Sequence, residues 1–178
     1  MISFNLQQDF FSLFNLPVRF RLDTALLDQN YRALQAQVHP DKFAHLSEAE
    51  RRLSVQWATR ANEAHQTLRK PIDRARYLLS LHGVETQEET NTSMPADFLM
   101  QQMEWREAIE EVRQAKDVGA LEELETHLQQ DMHALQQQLA VKIDDEHDDA
   151  AAAGIVRKLR FFEKLSEEIA SSFDELDS

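Results

Sequence analysis

The stretch Val38-His39-Pro40-Asp41-Lys42-Phe43 separates two segments with helical periodicity. Before it, apolar side chains recur every three or four residues, at Leu27, Tyr31, Leu34 and Val38. After it, a second apolar stripe runs through Leu53, Trp57, Ala61, Ala64 and Leu68. Two helices with such faces, joined by a short link, pack antiparallel. Because Pro40 disfavours helical backbone at the residue before it, the first helix should end there and leave His39 and Asp41 exposed at the tip of the hairpin.

The composition predicts an all-α protein without disulfides. The chain has only three glycines and four prolines in 178 residues and contains no cysteine. The missing cysteines exclude a disulfide, a thiolate metal site and a cysteine nucleophile. No apolar run approaches the ~18 residues of a membrane span, and residues 1–14 lack the Lys or Arg of a targeting leader. We therefore predict a cytoplasmic protein that does not enter a membrane.

The charge is divided unevenly along the chain. Residues 1–84 carry a net charge of +3, whereas residues 85–178 carry −16. This asymmetry predicts two functional units, and the acidic half argues against binding to nucleic acid.

Local signals mark where further helices begin and end. Asp23 or Thr24 can cap the helix before the tip, and Ser47 with Glu50 forms a capping box for a helix over about 48–69. Pro71 suits the first turn of a fourth helix, which Gly83 ends in a left-handed conformation. We predict a first domain over 10–83, a polar linker over 84–94, and a three-helix bundle over 95–178 in which Gly119 marks a turn.

The helix that follows Pro95 has two apolar faces. At about 100° per residue, one stripe contains Phe98, Trp105, Ile109 and Val112 and suffices for a bundle core. Leu99 and Met103 lie well off that stripe, and Met100, Glu104, Glu107 and Glu111 lie around its opposite side. Phe161 is similarly turned away from the inward-facing Phe162. Exposed apolar groups ringed by charge are typical of a partner site.

The tip and the helices beside it resemble the J domain of co-chaperones that stimulate heat-shock ATPase chaperones, whose signature is His-Pro-Asp between antiparallel helices. Lys42-Phe43, the string from Asn62 to Arg69, and the pattern Pro71, Arg74-Ala75, Tyr77-Leu78-Leu79 are similar to the HscB family of iron–sulfur biogenesis co-chaperones. The resemblance implies that the tip contacts an HscA-type DnaK-class ATPase through His39, Pro40 and Asp41. Lys42 and Arg32 add positive charge near it.

The resemblance extends to the second unit. Residues that match the family's surface for the IscU-type iron–sulfur scaffold protein are Leu99, Met100, Met103, Glu104, Glu107, Glu111 and Phe161. It implies a co-chaperone that binds the scaffold and delivers it to the ATPase, without being an enzyme and without a metal or cofactor of its own. No nucleophile elbow, phosphate loop or zinc motif is present.

Two other functions remain open from the residues. A general J-domain co-chaperone would bind unfolded clients, although the chain lacks a Gly/Phe-rich segment. A helical dimerisation or scaffold module would have an inert tip. For the surface itself, Leu99 and Met103 could instead pack on the first domain or linker, and a small rotation of the last helix would bury Phe161.

Overall fold

The computed structural model describes residue 5 and the ranges 7–87 and 94–176. Within them the protein is helical, as the composition predicted. The α-helices are α1 (Phe10–Leu13), α2 (Thr24–Val38), α3 (Glu48–Arg69), α4 (Pro71–Leu81), α5 (Ala96–Ala115), α6 (Val118–Ala140) and α7 (Asp149–Leu176). A 3₁₀ turn covers Pro40–Phe43, and a π-helical turn covers Val141–Asp145. The chain divides into two compact units, Met1–Leu81 and His82–Ser178.

In the first unit, α3 is the central helix and packs against α1, α2 and α4. The fully buried large side chains of the first unit include Phe11, Phe14, Leu27, Leu68, Leu78 and Leu79. Asp23 caps α2 by accepting from the N–H groups of Ala25 and Leu26. These local hydrogen bonds satisfy donors that the helix itself cannot pair, so α2 begins where the sequence predicted.

The predicted stripe of α3 is wrong at its first position. Leu53 is 46% exposed, whereas Ser54 is only 2% exposed. The buried positions Ser54, Trp57, Ala61, Ala64 and Leu68 follow an alternating spacing of three and four residues, which keeps them on one narrow seam. Ser54 is tolerated inside because its hydroxyl donates to the carbonyl of Val38, at 2.7 Å.

The start and end of α4 follow the predicted signals. Pro71 occupies its first position, and Gly83 has φ +78° just beyond its last residue. Arg74 is buried, but its guanidinium donates to the carbonyl of Leu68 at 2.8 Å and lies 4.8 Å from the ring centroid of Phe20.

The second unit is a bundle of α5, α6 and α7. Its core joins Phe98, Trp105, Ile109, Leu121, Leu128, Phe162, Leu165 and Ile169. Arg113, near the C-terminal end of α5, pairs with Glu175, near the C-terminal end of α7, at 2.9 Å. Helices α5 and α7 therefore run parallel to each other, and α6, which lies between them in the chain, runs antiparallel to both. In the segment before α5, the buried Thr86 offers its carbonyl to Arg157 of α7 at 3.0 Å. Residues 88–93 of the predicted linker lie outside the described residues.

The predicted turn at Gly119 is wrong, because Gly119 lies inside α6. Lys116 makes the reversal instead, with φ 52° in the left-handed region, and its N–H donates back to the carbonyl of Arg113. Asp117 then caps α6 by accepting from the N–H of Ala120 at 3.0 Å. An aspartate cap at this position starts the helix before the glycine is reached.

Candidate functional site: an exposed tip and an apolar face on α5

The tip of the first hairpin is a short, ordered turn. α2 ends at Val38, and His39 has extended backbone, φ −59° and ψ 130°, as expected before a proline. Pro40 opens the 3₁₀ turn. The side chains of His39 and Asp41 are 59% and 91% exposed. Both groups are therefore displayed to solvent on a turn whose backbone is held in place.

His39 and Asp41 are also linked to each other. Nδ1 of His39 accepts from the backbone N–H of Asp41 at 3.3 Å and lies 3.5 Å from its carboxylate. With Nδ1 accepting, the neutral ring carries its proton on Nε2. The tip then presents an imidazole N–H donor beside a carboxylate acceptor, a pair suited to recognising polar groups of another protein.

The start of α3 is fixed just beyond this turn. Ser47 and Glu50 form the predicted capping box, in which Glu50 accepts from the N–H and the hydroxyl of Ser47 at 3.0 and 2.6 Å. These hydrogen bonds favour the ionised carboxylate and lower the pKa of Glu50. Ser54, one turn further on, ties α3 to the end of α2 through the Val38 carbonyl.

The two predicted basic residues near the tip are both exposed. Lys42 lies in the turn itself, and Arg32 lies on α2, seven residues before His39. Seven helical residues correspond to about 10 Å along the axis. Lys42 thus belongs to the tip, while Arg32 extends its positive charge along the hairpin.

The second predicted surface lies on α5 in the other unit. Its core stripe is buried at Phe98, Trp105 and Ile109. Leu99 is 44% exposed, and Met100 and Met103 are each 63% exposed. The charged members of the surface are exposed as well, namely Glu104, Glu107 and Glu111. Within the described chain, α5 therefore keeps an apolar face that its own unit does not cover. We call these six residues the α5 face.

Phe161 of α7 is half-buried rather than fully exposed. Its ring packs edge-on against Phe98, with centroids 5.7 Å apart, and contacts Phe162 at 5.8 Å. The guanidinium of Arg106 lies over the same ring, 5.6 Å from its centroid. The ring is thus held in a fixed orientation, with part of its surface accessible beside α5.

Arg106 is a member of this region that the sequence reasoning did not select. It follows Leu99 by seven residues, so two helical turns bring it to the same flank of α5. On that flank it contacts Phe161, which places the Leu99 side of the α5 face next to α7. The seven-residue spacing from Leu99 is the signal that would have identified it.

Other kinds of site receive no support from the parts of the chain that the structure describes. They contain no group of three or more His, Cys, Asp or Glu side chains placed to hold a metal ion. None of the helices in those parts combines the length and hydropathy needed to cross a bilayer.

Known proteins resemble this chain over nearly its whole length. A co-chaperone protein HscB homolog of Aromatoleum aromaticum is 52% identical over 177 residues, which are 99% of this chain and 100% of that protein. Residues 94–170 match the family model described as the HSCB C-terminal oligomerisation domain.

Solved structures agree with this similarity. The chaperone HscB from Vibrio cholerae is 40% identical, with a TM-score of 0.84 over 95% of this chain and 99% of that one. The human co-chaperone protein HscB is 34% identical, with a TM-score of 0.87 over 93% of this chain and 82% of that one. The first unit is accordingly a J domain, and the second is a helical C-terminal bundle. Identity of this extent over the full length shows that the chain belongs to the HscB co-chaperone family.

Proposed function

We propose that this protein is a co-chaperone of iron–sulfur cluster assembly that brings an IscU-type scaffold protein to an HscA-type DnaK-class ATPase chaperone. The main support is the α5 face: Leu99, Met100 and Met103 stay exposed on a helix whose opposite side already fills a core. Family membership and the exposed tip add to it. The protein itself performs no bond chemistry in this role.

The α5 face would bind the scaffold protein. Leu99, Met100 and Met103 supply the apolar anchors, and truncating a true anchor typically costs ~1 kcal/mol or more. Phe161 adds an aromatic edge whose orientation is already set by Phe98 and Arg106. The three glutamates would favour a basic partner surface and speed its approach more than they tighten the complex.

The tip would act on the ATPase chaperone. His39 and Asp41 offer a donor and an acceptor on an exposed turn, and Lys42 adds a positive charge beside them. Contact with the ATPase would bias the chaperone towards hydrolysis while the scaffold is still held by the bundle. Because both contacts belong to one chain, binding of the scaffold raises its effective concentration at the chaperone.

Two variants that each disable one contact test this function. Replacing His39 by Gln should abolish stimulation of the chaperone ATPase while the scaffold affinity stays at the wild-type value. Replacing Leu99 and Met103 together by Ala should weaken scaffold binding by roughly tenfold or more, from two lost anchors, and leave stimulation without the scaffold intact. Both positions are exposed, so the bundle should still fold, which circular dichroism checks.

Each variant is the control for the other. ATPase turnover gives the first result, and calorimetry with the scaffold protein gives the second. Wild-type stimulation by His39→Gln would disprove the role of the tip. Wild-type affinity of the Leu99/Met103 variant would disprove the role of the α5 face. Binding of unfolded model substrates in place of the scaffold would favour a general J-domain co-chaperone.

A second candidate function for the α5 face follows from the matched family model, whose description is an oligomerisation domain. In that case the exposed apolar residues would pair two copies of this chain. Sedimentation of the protein distinguishes self-association from scaffold binding. A dimer that becomes a monomer when Leu99 and Met103 are both replaced by Ala would support self-association.

A further inference from the structure

The methionines of the described chain fall into two classes of exposure. Met100 and Met103 are each 63% exposed on the α5 face. Met94 and Met132 are partly buried and pack against the core of the bundle. The sequence has no cysteine, so its only sulfur atoms are the methionine thioethers, which oxidants convert to sulfoxides.

We propose that Met100 and Met103 form a peroxide-sensitive modification site whose oxidation releases the scaffold protein. The inference rests on the function proposed above and adds a means of regulating it. In this reaction the thioether sulfur attacks one oxygen of hydrogen peroxide. An S–O bond forms, the O–O bond breaks, and the attacked oxygen's proton moves to the leaving oxygen, which departs as water. Sulfur is oxidised by two electrons and the peroxide is reduced by two.

The product changes the character of the α5 face at its centre. Methionine sulfoxide is polar, whereas the thioether is a flexible apolar group. The neighbouring Glu104 and Glu107 are acceptors when ionised and cannot donate a hydrogen bond to a sulfoxide oxygen. Met100 and Met103 are apolar anchors of the proposed contact, so burying a sulfoxide oxygen in their place removes it from water and should weaken the complex by roughly tenfold.

The site itself is tested by treating the full-length protein with hydrogen peroxide and measuring sulfoxide at each methionine by peptide mass spectrometry. Met100 and Met103 should oxidise first, with Met94 and Met132 lagging because their side chains pack on the core. Bound scaffold protein should slow oxidation of Met100 and Met103 selectively. Equal rates at all four positions would overturn the assignment.

The consequence is tested by calorimetry with the scaffold protein before and after oxidation. The wild-type affinity should fall in proportion to the sulfoxide at positions 100 and 103, and methionine sulfoxide reductases should restore it. The control variant, Met94→Leu with Met132→Leu, should bind the scaffold protein with wild-type affinity. Its affinity should fall after peroxide treatment by as much as that of the wild type. In the variant Met100→Leu with Met103→Leu, compared with its own untreated sample, peroxide should change the affinity less than twofold.

The possible failures can be told apart. Scaffold affinity that survives full oxidation of Met100 and Met103 would overturn this inference and leave the proposed function standing. Absence of scaffold binding by the untreated protein would overturn the proposed function, and this regulation with it. Should the Met100/Met103 variant bind too weakly to compare, the wild-type correlation between sulfoxide content and affinity still decides.

Discussion

Asp28 is the residue on which a polar network along the first hairpin depends. Its carboxylate accepts from Nε2 of His65 at 2.7 Å and from the guanidinium of Arg69, both on α3. His65 in turn stacks on Tyr31, with ring centroids 4.0 Å apart. The hydrogen bonds from His65 and then Arg69 lower the pKa of Asp28 below its ordinary value of 3.8. One carboxylate on α2 thus holds two side chains of α3.

Replacing Asp28 by Asn should lower the stability of the J domain at neutral pH. The pKa of Asp28 is lower in the folded state than in the unfolded state. Its contribution to the free energy of unfolding is therefore fully present at pH values above the unfolded-state pKa, and it is lost as the pH falls through the folded-state pKa. The wild-type advantage over Asp28→Asn should therefore shrink below about pH 3.8. Each unit contains one tryptophan, so urea unfolding followed by Trp57 fluorescence in a Trp105→Phe background measures the first unit.

This account would be contradicted if the difference in stability between the wild type and Asp28→Asn stayed constant as the pH fell well below the ordinary pKa of an aspartate. It would mean that the carboxylate contributes through packing of its side chain and not through its ionised form.

At the scale of the elements, the junction between α2 and α3 determines where the tip stands. α2 ends in a carbonyl at Val38 that the helix cannot pair. The buried hydroxyl of Ser54 on α3 supplies the donor at 2.7 Å. This single hydrogen bond connects the last residue before the tip to the helix that follows it.

Replacing Ser54 by Ala should destabilise the first unit by about 1–2 kcal/mol, because it leaves a buried carbonyl without its donor. The matched control is Ser80→Ala. Ser80 is exposed, and its hydroxyl donates to a carbonyl of its own helix, that of Tyr77. Its loss should cost less than about 0.5 kcal/mol. Urea unfolding of both variants in the Trp105→Phe background gives the comparison, and equal costs would refute the importance of this junction.

For the whole molecule, the dominant electrostatic feature is the concentration of negative charge in one half. The net charge of the chain is −13. Residues 85–178 carry −16, whereas residues 1–84 carry +3. Exposed charges attract a basic partner over a distance set by salt, about 30 Å at 0.01 M and about 8 Å at 0.15 M. Association with the scaffold protein should therefore slow as salt is added.

The contribution of the α5 face to this effect can be isolated. Replacing its three glutamates, Glu104, Glu107 and Glu111, by Gln should lower the association rate constant at low salt and flatten its salt dependence. The control replaces three exposed glutamates of α6, Glu122, Glu123 and Glu125, and removes the same net charge. Stopped-flow measurements should find the control closer to the wild type. Equal effects would assign the steering to total charge and not to the face.

Much of this protein is determined by signals within a few residues. The capping box of Ser47 and Glu50, the proline that starts α4 and the left-handed Gly83 act through hydrogen bonds and backbone limits inside one turn, so the sequence predicted them. The exposed tip followed from Pro40, and the second face of α5 followed from helical periodicity. Their assigned partners remain predictions.

Only the tertiary structure decided how helices rotate against their neighbours. Ser54 rather than Leu53 faces inward on the seam of α3, and the end of α2 makes this burial tolerable by offering its hydroxyl an acceptor. Phe161 is half-buried because Phe98 and Arg106 contact it from another helix. Lys116 makes the turn assigned to Gly119, since Asp117 caps α6 first. The first two outcomes depend on groups far apart in the chain, which periodicity within one helix does not contain. The third is local, because Asp117 caps α6 within one turn, and the sequence prediction did not include this cap.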